Sequence, residues 1–333
     1  MRRLTLILSD LYLPEEAGRG APVPATRDLP NLEWLLRFAD PPEQVGDWRR
    51  WLLEQTPPGF KSLSVAGISA CDRIDDRDIQ STWLATPVAL EARLDHVRLL
   101  DRGLLRLDER ERASCREEFS RIFGPTYQLM DGGERAFFLS GLPAHGLRTI
   151  DPARLLGNEI GPSLPGRDAG ELRRLWAEIE MWLHGAEFNS ARERAGKQRV
   201  AALWMWGAEP LPGGRVEFGL AADAYYGGDP LITALARKGR GGLGCARAAP
   251  MNLAETDPGE GQVVVEFAAL TGAPHESLEA LDSNWFAPAK SALATGDIRQ
   301  LDLVANDRRF RIEARPQWRF WRRSRPWLTS LGS

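Results

Sequence analysis

The chain has 333 residues, 43% of them hydrophobic and 27% charged, with 43 basic against 46 acidic side chains for a net charge of −3. That length fits about two domains of roughly 150 residues or one large α/β domain with a sizeable core. The composition is that of a globular chain, which argues against a disordered or membrane class, and the near-balanced charge singles out neither nucleic acid nor an anionic membrane.

Only Lys61, Lys197, Lys238 and Lys290 are lysines, so arginine makes up nearly all of the 43 basic residues, beside 12 tryptophans and 4 tyrosines. Arginine forks bind anions, but an excess spread along the whole chain reads as coding bias, and single arginines carry little weight. Cys71, Cys115 and Cys245 lie far apart with no CxxC or Cys/His spacing, against a zinc site or a disulfide scaffold and in favour of a reducing, cytoplasmic setting. The first apolar run is broken by Asp10 and is too short for a signal peptide, and no stretch nears the roughly 20 apolar residues that span a bilayer.

In chain order, LTLIL at 4–8 predicts a buried first strand running into a loop. Pro30 with Leu32, Trp34, Leu35 and Phe38 predicts a helix, and Val45 to Gln55 a second. LDHVRLL at 94–100 predicts a partly exposed strand. Asp108, with Glu111 three residues on, predicts a capping box opening a helix to Phe123, whose inner face takes Ala113, Phe119, Ile122 and Phe123. RAFFLS at 135–140 is a strand, and the Gly/Pro-rich stretch from Gly141 to Gly170 a linker or a functional loop.

Leu172, Leu175, Trp176, Ile179, Trp182 and Leu183 form one helical stripe ending at Gly185. The run from Val200 to Trp206 predicts a central parallel strand buried on both faces, and QVVVEFAAL at 262–270 another. KGRGGLG at 238–244 lacks the order of a phosphate loop and reads as a turn. A helix over 277–293 with Pro288 inside, then strands IRQLDLV and RFRIEA, close the chain. The expected fold is therefore α/β, a mainly parallel central sheet with flanking helices, in one large domain with an internal boundary in the 141–170 region.

The block EIEMWLHGAEFNSARERAGKQRVAALWMWG at 178–207, with TPVALEARLDHVRLLD, LRTIDPARLLGNEIGPSLPGRDA and WRFWRRSRPWL in order, resembles bacterial regulatory proteins of the RpfE type from about residue 80 onward. Asn189, Arg192, Gly196 and the strand end from Leu203 to Gly207 are also similar to archaeal-type cofactor-independent phosphoglycerate mutases. The second resemblance implies an alkaline-phosphatase-like core and a two-metal site of Asp and His ligands. The sequence departs from it: there are four histidines, His96, His145, His184 and His275, no Asp-Gly follows Asp10, and the late ligand cluster shrinks to His275 and Asp282. Asp95-His96 resembles a metal dipeptide but falls within the 94–100 strand.

The ligand-binding candidates are Glu178, His184, Asn189, Arg192 and Arg194, with Asp10 as a weak metal candidate. Glu180 and His184 share a helix face and could pair as acid and base; a helix terminus offers His184 a structural role instead. Asn189 suits a helix cap, and Arg192 and Arg194 suit an anion at a strand end. Trp204 and Trp206, two apart, suit the core. The arginines and aromatics from Arg308 to Trp327 favour packing or a protein partner over nucleic acid. The expectation is a cytoplasmic, non-catalytic regulatory protein, a pseudoenzyme with no cofactor and either a protein partner or a small phosphorylated ligand. The alternative is a phosphomutase or phosphohydrolase using Mn or Zn.

Overall fold

The computed structural model describes residues 2–12, 28–54, 64–71, 73–74, 81–143, 147, 149–163, 169–208, 222–238, 248–256, 261–305, 307–315, 321–323 and 326–332. In chain order the first elements are β1 (Arg2–Leu8), α1 (Pro30–Phe38), β2 (Glu43–Gln44), α2 (Trp48–Glu54), α3 (Val65–Ala70), β3 (Trp83–Ala92) and β4 (Val97–Leu104). Next come α4 (Glu109–Phe123), β5 (Gln128–Asp131), β6 (Phe137–Ser140), α5 (Gly170–Gly185), α6 (Glu187–Arg194) and β7 (Ala202–Trp206). The last are β8 (Ala224–Tyr226), α7 (Pro230–Lys238), β9 (Gln262–Phe267), α8 (Leu278–Leu281), α9 (Ala287–Thr295), β10 (Ile298–Ala305), β11 (Arg308–Glu313) and α10 (Trp327–Gly332). They form two compact units, one of Met1–Pro58, Phe218–Gly228 and Leu235–Ser333, the other of Gly59–Glu217 and Asp229–Ala234, and the division runs through α7.

The first unit holds a six-stranded sheet in the order β2-β11-β10-β1-β9-β8. Strands β10, β1, β9 and β8 run parallel, and β11 and β2 add an antiparallel edge. Alternation along β1 sends Leu4, Leu6 and Leu8 into a core shared with Val263, Val265, Phe267, Leu301 and Leu303. Helices α1, α8 and α9, with the π turn that joins the last two, supply its other wall through residues such as Leu32, Leu35, Leu281, Trp285 and Leu293. Pro288 does not break the predicted helix, because one π turn over Asp282–Phe286 precedes it and places the proline in the first turn of α9, where a missing N–H costs nothing. Glu43 and Gln44 pair with β11, and the predicted 45–55 helix starts at Trp48.

The second unit is built on β3, and its sheet is antiparallel throughout. Residues 84–88 of β3 pair with β7 along one edge, while β6 and then β4 share the other. The fold is thus mixed α/β, and a mainly parallel sheet holds for the first unit alone. Strand β7 is wholly buried as predicted, yet antiparallel to β3. An uninterrupted apolar run reports burial of both faces, not strand direction. Trp176 of α5 meets Trp204 edge-on at 4.7 Å, and the Trp204 and Trp206 indoles donate to the Ile150 carbonyl and the Thr86 hydroxyl.

Several local expectations shift. The 94–100 strand begins at Val97, so Asp95 and His96 sit in the β3–β4 turn. The inner face of α4 is Cys115 and Phe119, with Phe123 half-buried and Ala113 and Ile122 exposed, the i, i+4, i+8 stripe of one helix face. Gly185 ends α5, but it is Ala186, in extended conformation, that stops the helix and opens α6. The 141–170 stretch lies within the second unit, where residues 156–160 bond along the free edge of β4. Residues 239–244 of the glycine-rich loop, together with Cys245 and His145, fall outside the described residues.

Candidate functional site

Asn189 is fully buried in α6 and serves as a bracket. Its Nδ2 donates to the carbonyls of Leu183 and Val200 at 2.8 Å each, and its Oδ1 accepts the Val200 N–H at 2.8 Å. It fastens the last turn of α5 to the chain entering β7. Its amide is consumed by backbone, and it does not cap α6, whose first N–H groups go to Glu118 of α4 at 3.2 and 3.0 Å.

Arg192 is also buried. Its Nε donates to the Gln198 carbonyl at 2.9 Å and a terminal nitrogen meets Glu111 at 2.6 Å. Glu111 also accepts from Lys197 at 2.8 Å and from the Asp108 N–H at 2.9 Å, closing the predicted capping box of α4. Lys197 reaches Asp108 at 3.0 Å. Bonds from the Glu111 N–H and from Lys197 hold the Asp108 carboxyl below the usual aspartate range, and the two carboxylates raise Lys197. An open cavity of 740 Å³ lies between α4 and α6, where the exposed Arg194 sits with Arg110 and Arg121 among Glu117, Glu118 and Glu187. Acidic and basic groups alternate there, and no single charge dominates.

His184 and Glu180 line a different cavity, of 390 Å³, against Leu90, Leu100 and Leu183. His184 is exposed, and its carbonyl accepts from Arg199 at 2.5 Å. Partial burial of the Glu180 carboxyl raises its pKa against a lowering bond from Trp176. Glu178 pairs with Arg174 one turn away at 3.2 Å. The structure therefore brings Asn189, Arg192 and Arg194 onto one short helix but places His184 and Glu178 elsewhere on the unit.

In the first unit, Asp10 follows β1 and is buried. Its carboxylate accepts the Leu270 N–H at 3.1 Å and the Thr271 N–H and hydroxyl at 2.6 and 2.5 Å, pinning the turn after β9 to the end of β1. Asp282 takes the Leu32 N–H at 2.8 Å and the Asn31 side chain at 2.9 Å, so it caps α1 from the π turn. The two aspartates thus serve different backbone segments, and His275 is 3.9 Å from Glu276. Among the described residues no group of three or more His, Cys, Asp or Glu is placed to hold a metal ion. Among the described residues, the Asp10 and Asp282 carboxylates are each engaged by hydrogen-bond donors of their own unit.

Two clusters escaped the sequence reading. Ser9 donates to the buried Glu266 of β9 at 2.5 Å, and Glu266 takes the Gly228 N–H at 3.1 Å. Arg309 and Arg311 of β11 converge on Asp302 of β10 at 2.9 and 3.4 Å. The alternation in RFRIEA signals a strand with one polar face, but only strand register shows what that face meets.

No family model matches the chain, and no curated protein does. Among solved structures, it is similar to a cofactor-independent phosphoglycerate mutase from Thermoplasma acidophilum, at 16% identity and a TM-score of 0.36, over 94% of this chain and 89% of that one. It is also similar to the PH0037 protein from Pyrococcus horikoshii, at 12% identity and a TM-score of 0.44, over 94% and 87% of the two chains. Among the described residues no helix is long and apolar enough to cross a membrane.

Proposed function

We propose that the chain is a cytoplasmic regulatory protein of the RpfE type that acts by binding, a non-catalytic relative of the phosphoglycerate mutases. The observation that carries this reading is the Asp10 carboxylate. In open α/β sheets ligands gather outside the carboxyl ends of the parallel strands, and there the acidic group that could serve a metal or a substrate closes a loop instead. Asp282 and Asn189 support the same reading, Asp282 holding the first turn of α1 through the Leu32 N–H and the Asn31 side chain and Asn189 holding backbone alone.

The rival enzyme would need Arg192, Arg194 and His184 around one phosphorylated substrate. Arg192 is spent on Gln198 and Glu111, and His184 lines the other cavity. A coupled phosphoglycerate mutase assay with Mn or Zn added tests the proposal. The expected result is no turnover above the enzyme-free rate; turnover that depends on Asp10 overturns it.

A further inference from the structure

The first unit's sheet has one face against the core and a second that carries a polar cluster. Arg3 of β1 is in register with Gln300 of β10 on one side and Gln262 of β9 on the other. Two residues further along, Asp302 is in register with Arg311 of β11. Alternate residues share a face, and the intervening Leu4, Leu301 and Ile312 go to the core, so these polar groups all project to the opposite side. There they line a cavity of 310 Å³, at the small end of ligand sites.

The cluster holds more donors than it uses. Asp302 accepts from Arg309 at 2.9 Å, from Gln300 at 2.7 Å and from Arg311 at 3.4 Å. Arg309 is buried, stacks over Trp51 at 5.4 Å and spends a terminal nitrogen on Glu43 at 2.8 Å. It is the fixed member. Arg311 is half-exposed and touches Asp302 through Nε alone. The Arg3 guanidinium and the Gln262 side-chain amide have no hydrogen-bond partner among the described residues. Three guanidinium groups therefore face one half-buried carboxylate on the sheet, and two of them retain unused forks.

Arginine forks match the edges of tetrahedral and planar oxyanions and bind them bidentately. We propose that this sheet face is an oxyanion site that takes a phosphoryl group between Arg3, Arg311 and the Gln262 amide. Asp302 and Arg309 are its positioning residues: Arg309 neutralises Asp302, and Asp302 aims Arg311. The site is separate from Asp10 and does not depend on whether the chain turns over a substrate.

Calorimetric titration of the whole chain with inorganic phosphate and, separately, with glycerol phosphate at fixed ionic strength tests it. Saturable binding is expected, weakened about tenfold or more in Arg3→Gln and in Arg311→Gln, the scale of losing one charged hydrogen-bonding partner. Arg194→Gln, on α6, should leave it unchanged. Tighter binding of the ester supports a phosphorylated metabolite as the ligand, and equal or tighter binding of phosphate supports the free ion. Absence of saturable binding, full affinity in both variants, loss of affinity in Arg194→Gln, or displacement by an equal concentration of chloride overturns the proposal. If Arg311→Gln unfolds through its contact with Asp302, Arg3→Gln alone decides, because the Arg3 side chain is exposed and makes no hydrogen bond among the described residues.

Discussion

Asn189 and Val200 satisfy one another in both directions, the Val200 N–H donating to Oδ1 and Nδ2 donating back to the Val200 carbonyl, each at 2.8 Å. A third bond to the Leu183 carbonyl makes this side chain the joint of α5, α6 and β7. Asn189→Ala takes the partner from the Val200 N–H and carbonyl and leaves the Leu183 carbonyl only its longer bonds to Ala186 and Arg199, and should cost about 2–4 kcal/mol in chemical denaturation. Asn189→Asp should be at least as damaging, because it turns two donors into an acceptor facing two carbonyls. A ligand-binding asparagine would lose binding with little change in stability.

The Arg192–Glu111 pair is the most deeply buried ion pair on the same joint, at 2.6 Å with side-chain exposures of 4% and 13%. Arg192→Ala should destabilise by about 3 kcal/mol, near the low end for breaking a buried pair because Lys197 still serves Glu111. A double-mutant cycle with Glu111→Ala should return a coupling of about 1–3 kcal/mol. Additive losses would show that the two side chains do not depend on each other.

The capping box at α4 gives a pH signature. The Asp108 carboxyl titrates below its unfolded value, first through the Glu111 N–H and then through Lys197. Its contribution is therefore fully present above the ordinary aspartate range and is lost as pH falls through the depressed folded value. Asp108→Ala should cost about 1 kcal/mol at neutral pH, the usual worth of an N-cap. The gap between variant and wild type should close in acid, as read by denaturation across pH. A gap that persists there would assign the loss to something other than the ionised cap.

The capping box and the stripe of α5 were legible because they are local: short spacings and helical periods write them into consecutive residues. The direction of β7 was not, since both of its faces are buried and an apolar run looks alike in either orientation. Strand β3 escaped because Pro87 sits inside it, and proline argues against a central strand. Here its carbonyl still accepts the Leu105 N–H at 3.0 Å, and the pairing with β4 slips between Val88 and Leu90. The site residues were the hardest to read. Whether Asn189 or Asp10 faces a ligand or a distant peptide N–H is set by contacts 11 and about 260 residues away, which no local spacing shows.

Asp10 is the structural anchor on which the non-catalytic reading rests. The measurement is chemical denaturation of wild type and Asp10→Ala, once in chelator and once with saturating Mn or Zn. Three N–H and O–H donors lose their acceptor in the variant, so the predicted loss is about 2–4 kcal/mol, equal in both conditions. A wild type stabilised by stoichiometric metal, with a variant that loses only that metal-dependent increment, would contradict it and return Asp10 to a ligand role.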